Sequence, residues 1–266
     1  MAKGAGDMSA LAVPLADVAG DFGDAIDFIF HQRESVSGGI QVGGPNELFH
    51  LGVTHMKISL LAIAAACLVS IPIGLYLGHI GRGEFLAISI SNIGRAVPSL
   101  ALLAFFIAYI GLGTANIVLV LFLLAVPPIL TNTYVATRQV DRNTVDAARG
   151  QGMSEAQIVR KVELPLGIAT IFGGIRTSTV NVVATATIAP LASVKTLGFP
   201  IINGNVYGFS GTLGAAIVVA VLTLVLDGLL AVVQRSVTPK GIKLRSGSAP
   251  GRGKFFAIRT PRGEQV

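Results

Sequence analysis

DAARGQGMSEAQIVRKVELP, running from Asp146 to Pro165, is a charged island in a chain otherwise composed for hydrocarbon. Asp146, Arg149, Glu155, Arg160, Lys161 and Glu163 make it too polar to cross a bilayer. Asp141 or Asn143 can cap a first short helix, and Asp146, near that helix's N-terminal end, complements its dipole. Gly152 ends the helix. Ser154 followed by Gln157 fits a capping box for a second helix, on which Ile158 and Val162 recur at i and i+4. Pro165 marks the return to the membrane. The spacing predicts two short helices joined by a glycine elbow.

Working outward, charge-free runs measure the spans, because a bilayer-crossing helix needs about 20 mostly apolar residues. Ile58–Gly81 is one such run. Ala96–Thr137 is about twice as long and is interrupted by GLGTAN at Gly111–Asn116, which predicts two spans with a turn between them. After Pro165 the apolar stretch to Ser193 holds only Arg176, and the run from Leu213 to Val233 holds only Asp227. Five spans result. Pro72, Pro98, Pro127, Pro128 and Pro190 sit inside or at the ends of these runs, as membrane bundles tolerate. Gly74 and Gly78 form a small-xxx-small pair that can seat a neighbouring helix, within the chain or outside it. A short amphipathic helix around Asp21–Phe30 is too short in its apolar face to span.

The composition agrees, at 52% hydrophobic and 13% charged residues, far below the roughly 25% charge of soluble domains. Charge is also unevenly placed. The first 50 residues carry Lys3 and Arg33 against seven carboxylates, whereas Arg235–Val266 carries eight basic residues against Glu264. Basic residues gather near Arg82, over Arg138–Lys161 and in the tail, so that side is expected to be cytoplasmic and the N-terminus outside. The net charge of +6 therefore reads as a solvated cytoplasmic tail rather than a nucleic-acid footprint. Three segments are expected: an extracytoplasmic or interfacial stretch over 1–50, a transmembrane domain over 51–237 with its cytoplasmic loop at 138–165, and a basic tail over 238–266.

Several functions are disfavoured. The chain has no G-x-x-x-x-G-K-[ST] loop to cradle a nucleotide. His31, His50, His55 and His79 are dispersed and share no ligand spacing with the single cysteine, Cys67. No triad or paired carboxylates suggest an enzyme.

The loop resembles the cytoplasmic loop of binding-protein-dependent ABC importer permeases: Glu-Ala-Ala, three residues, Gly, nine residues, Ile-x-Leu-Pro. Asp146, Ala147, Ala148, Gly152, Val162, Leu164 and Pro165 fall at those positions, with Asp for Glu and Val for Ile. The flanks NIGRAVPSLALLAFF (92–106), PPILTNTY (127–134), GQGMS (150–154) and RKVELPL (160–166) are similar to permeases for glycine betaine, choline and related osmoprotectants. This similarity covers roughly residues 54–240. Where those permeases carry Gly-Gly-Leu-Gly, this chain reads APLASVKTLGFPI (189–201). The resemblance implies an all-α membrane protein with about five transmembrane helices of the type I ABC importer permease fold, in the bacterial plasma membrane. It further implies ATPase subunits that bind ATP and Mg, a second permease subunit and an extracytoplasmic substrate-binding protein, with no cofactor in this chain. The loop would dock in a groove of the ATPase, and the pathway would carry a small compatible solute. Another small solute, such as an amino acid or sulfonate, is the alternative, and a secondary transporter is the rival from another class.

Within the spans, Arg176 and Asp227 stand about 10 and 7 residues from the expected cytoplasmic ends, roughly 15 and 10 Å at helical rise. Charges at that depth need a partner or water. They either pair to lock two helices or line a hydrated pathway. Asn132, Asn181 and Pro98 are further pathway candidates. With no Trp and four Tyr, the chain is poorly supplied for an aromatic cage, so tight capture of a quaternary ammonium solute falls to the separate receptor.

Overall fold

The computed structural model describes residues 15–82, 84–85, 89, 94 and 97–239. The residues before 15, the start of the second expected span and the basic tail beyond residue 239 lie outside them.

The chain begins with α1 (Leu15–Phe30), followed by a two-stranded antiparallel ribbon of β1 (Gln32–Glu34) and β2 (Gln41–Gly43). Then come α2 (Gly44–Ile80), α3 (Ser99–Ile110) and α4 (Thr114–Arg138). The polar loop is α5 (Arg142–Gly150) and α6 (Glu155–Ile158). A π-helical stretch, Val159–Glu163, joins α6 to α7 (Leu164–Thr185), and a 3-10 segment (Ala186–Ala192), α8 (Gly198–Ile202) and α9 (Gly204–Val237) complete the described chain. Apart from the ribbon and short connections, the described residues are helical.

Among the described residues three helices, α2, α4 and α9, are long and apolar enough to cross a membrane. α7, with 22 residues, extends roughly 33 Å, although its apolar run is diluted by Arg176 and several hydroxyls. α3 has 12 described residues. The first span starts earlier than the charge-free run implied, at Gly44 rather than Ile58, because Lys57 points outward and does not interrupt the helix. The boundary expected at residue 50 therefore falls inside α2.

α2, α4 and α7 pack into one core built on Ile58, Ala62, Leu121, Ile129 and Val182. Close approach of α2 to α4 needs glycine. A Cβ on Gly74 would stand 2.7 Å from Thr133 Cβ, and one on Gly78 would stand 2.6 Å from Thr137 Cβ. The small-xxx-small pair is thus used within the chain.

At the other end, a second core gathers Phe28, Leu48, Leu51, Leu197, Tyr207 and Val219. Here the acidic N-terminal stretch is bound to the bundle. Phe28 of α1 is fully buried, and the Cβ positions of Gly211 and Gly214 on α9 would touch its ring. Arg33 donates to Ser210 Oγ at 2.7 Å and pairs with Asp27 at 2.9 Å. The segment over 189–201 is not an open loop: Thr196, buried, donates to the Ala186 carbonyl at 3.0 Å, and Leu197 is fully buried.

Candidate functional site

The polar elbow is specified almost atom by atom. Asp141, not Asn143, caps α5, accepting from the Asn143 backbone N–H at 3.0 Å. The helix ends in a Schellman turn: Gly152 N–H donates to the Arg149 carbonyl at 3.0 Å and Met153 N–H to the Ala148 carbonyl at 3.2 Å. Gly152 takes φ +83°, a left-handed conformation that glycine adopts without penalty. Ser154 and Gln157 close a capping box, with Gln157 N–H donating to Ser154 Oγ and Ser154 N–H to Gln157 Oε1. Val140, Val145, Ala148 and Ile158 form a small separate core, against which Met153 and Val162 pack. The elbow therefore has the means to move as one body.

Its connection to the membrane is continuous helix. Pro165 has no N–H for the carbonyl four residues back, and its ring would crowd that carbonyl. The widened π turn relieves both, with Leu164 N–H donating to the Val159 carbonyl. Leu164 and Pro165 open α7, both half-buried. Asp146 and Ala147 face solvent, whereas Ala148 faces the small core.

The sequence reading passed over four residues here. Arg149 clips the two helices together, donating to Asp146 at 2.8 Å and to both Glu155 oxygens at 2.8 and 3.0 Å. Glu155 lies 3.0 Å from Nε2 of His79, at the end of α2, and His79 Nδ1 lies 2.8 Å from Glu163 Oε2. Glu163 is fully buried, and its Oε1 has no hydrogen-bond partner among the described residues. This chain of polar contacts ties the elbow to α2 as well as to α7.

The Arg149 guanidinium holds the Glu155 carboxyl below the usual carboxylate range. A depressed carboxylate contributes its stability above its ordinary value, near 4.5, and loses it as pH falls through the lower folded value. The clip is thus complete at neutral pH. Protection of the Gly150–Ser154 amides, measured as the exchange rate relative to the intrinsic rate at each pH, is expected to hold down to pH 4.5 and to fall below it; Arg149→Ala is expected to remove this pH step.

The second site lies within the spans. Arg176 on α7 and Asp227 on α9 form a bidentate pair, Nε to Oδ1 at 2.8 Å and Nη2 to Oδ2 at 2.7 Å. Gln234 Oε1 accepts from Arg176 Nη1 at 3.1 Å, while Gln234 Nε2 donates to the Ala169 carbonyl at 2.7 Å. Because α9 runs on to Val237, the pair is further from the helix ends than the residue count implied, roughly 15–18 Å from the C-terminus of α9 and the N-terminus of α7. The pair borders a cavity of about 460 Å³ lined also by Gly173, Thr177, Val180 and Asn181. A second cavity, of about 410 Å³, shares Thr177 and Asn181 and reaches Ser99, Pro127 and Pro128. Asn181 thus joins Arg176 and Asp227. Asn132 does not: its Nδ2 donates to the Pro128 carbonyl at 2.8 Å, and its Cβ packs where Gly174 leaves room. Pro98 caps α3 between two residues, Val97 and Ser99, that line the second cavity, without lining it itself. Among the described residues no cluster of His, Cys, Asp or Glu can hold a metal ion.

A multi-span helical bundle with a capped polar elbow and a polar cavity inside its spans is the architecture of a transporter's membrane subunit. Residues 70–239 match the family of binding-protein-dependent transport system inner membrane components, and the chain belongs to it. It is 40% identical to the choline transport system permease protein OpuBB of Bacillus subtilis over 77% of this chain and 94% of that one. It is 39% identical to the carnitine transport permease protein OpuCB of Listeria monocytogenes, over 71% of this chain and 87% of that one. Among solved structures, a chain of the MetNI methionine ABC transporter in an inward-facing conformation superposes with a TM-score of 0.64 at 18% identity, covering 73% of this chain and 98% of that one. This likeness carries the fold, that of a type I ABC importer permease.

Proposed function

We propose that this chain forms the translocation path of an ATP-driven importer for a small osmoprotectant of the glycine betaine, choline or carnitine class. The carrying observation is 40% identity to a choline permease across 94% of that relative's length. ATP and Mg are bound by partner ATPase subunits, tight solute capture belongs to an extracytoplasmic binding protein, and a second permease subunit, identical or homologous, completes the path. The N-terminus lies outside and the basic tail in the cytoplasm, which puts the elbow within reach of an ATPase. There Asp146, Ala147, Ala148 and Gly152 form the docked part, and Val162, Leu164 and Pro165 carry its displacement into α7. The small core and the Arg149 clip support this reading, because a lever must keep its shape. Arg176, Asp227 and Asn181 line the solute's way through the spans.

Uptake of labelled glycine betaine and choline by the full transporter in vesicles tests the assignment. Uptake is expected to require both ATP and the binding protein. Uptake that persists with a catalytically dead ATPase subunit and follows an ion gradient would instead make the chain a secondary transporter.

A further inference from the structure

The Arg176–Asp227 pair sits at a depth where an unpaired charge is strongly disfavoured, yet it is not sealed between helices. Each side chain keeps 32% of its surface and borders the cavity of about 460 Å³, within the common range for small-ligand sites of about 300–1,000 Å³. Gly173 keeps the wall open: a Cβ there would meet nothing within 4 Å. The guanidinium has a second anchor, since Gln234 holds Nη1 and is itself fixed by the Ala169 carbonyl. If Asp227 lets go, the edge formed by Nε and Nη2 stays in place with two donors ready for a carboxylate.

We propose that this pair is an exchangeable binding site for zwitterionic quaternary ammonium solutes, which open it by offering their carboxylate to Arg176 and their cationic nitrogen to Asp227. The proposal rests on the functional reading above and adds to it the binding residues and the charge pattern the solute must carry. Exchange of partners keeps every charge paired throughout. A plain cation satisfies Asp227 alone and leaves the Arg176 fork without an anion, and an uncharged solute satisfies neither. Asn181 faces the same cavity and offers its amide N–H to the solute carboxylate, whereas the Thr177 hydroxyl is already committed to the Gly173 carbonyl at 3.0 Å. Among the described residues no aromatic side chain lines the cavity, so the cation is held by charge without a ring cage, as suits brief occupancy on the way through.

The test compares initial uptake of glycine betaine, the zwitterion, with that of choline, the cation, by the full transporter carrying R176Q, D227N or R176K. R176Q is expected to lower betaine uptake at least about tenfold while choline uptake is kept or rises, because Asp227 is then free for a cation. D227N is expected to lower both at least about tenfold. R176K keeps the charge that joins the two helices but lacks the fork, so it is expected to lower the betaine-to-choline ratio while the protein remains in the membrane. Equal losses for the two solutes in R176Q and in R176K are the pattern of a lock between helices and overturn the proposal. A wild-type transporter that carries choline and no zwitterion overturns it as well. A wild type that carries neither solute removes the functional reading itself, and this is seen before any variant is compared.

Discussion

Gly152→Val is expected to lower solute uptake at least about tenfold and to reduce receptor-stimulated ATP hydrolysis in parallel, with wild-type amounts of protein in the membrane. The reason is confined to the backbone. Gly152 holds φ +83°, and an added Cβ would meet nothing within 4 Å, so crowding plays no part. A β-branched residue held in that conformation costs of order 1–3 kcal/mol, and the elbow relaxes by giving up its left-handed turn. That turn sets the angle between α5 and α6 through the bonds to the Arg149 and Ala148 carbonyls. Gly152→Asn separates this account from a general intolerance of substitution. Asparagine tolerates the left-handed region, so most uptake is expected to return. Equal loss in both variants would mean that the exposed surface at residue 152 matters, not the turn.

Gly78→Leu is expected to remove the folded protein altogether. A Cβ at this position would lie 2.6 Å from Thr137 Cβ and 2.9 Å from the Tyr134 carbonyl oxygen, and a backbone carbonyl cannot rotate away. Thr137 is buried, with its hydroxyl bonded to the Thr133 carbonyl at 3.0 Å, so its methyl group is pinned against α2. Even modest overpacking costs about 1–3 kcal/mol, and a whole isobutyl group at a helix crossing exceeds that. Little monodisperse protein is expected after detergent extraction. Gly78→Ala is expected to fold with its melting midpoint lowered by several degrees, at about 2–4 °C per kcal/mol for a chain of this size. A Gly78→Leu protein that melts like the wild type would mean that α2 and α4 do not touch here.

What could be read from the sequence follows physical range. Caps and turns act over three or four residues, so Ser154 with Gln157 and the break at Gly152 were legible and recur in the structure. Charge-free runs located the spans but not their ends, because one exposed lysine, Lys57, does not stop a helix. The β ribbon was invisible: its strands are three residues each, and Gln32, Arg33 and Glu34 show no apolar alternation. The Arg149–Glu155 clip joins residues six apart, a spacing that faces nothing on a straight helix and meets only through the Gly152 turn. His79 and Glu163 are 84 residues apart, and no local pattern connects them. The Arg176–Asp227 pair was accessible for a different reason, since two isolated charges in apolar runs have few other partners. Its geometry, facing a cavity and anchored by Gln234, was not.

The account turns on the claim that the segment from Asp146 to Pro165 meets an ATPase on the cytoplasmic side. Cysteine cross-linking in the assembled transporter tests it most directly, with Ala147→Cys on the solvent-facing side of α5 and Cys67 replaced by alanine. The account predicts a short-span cross-link between residue 147 and the ATPase subunit whose yield changes when ATP is added. A residue 147 that forms no such cross-link and is labelled from outside intact cells by a membrane-impermeant thiol reagent would contradict it.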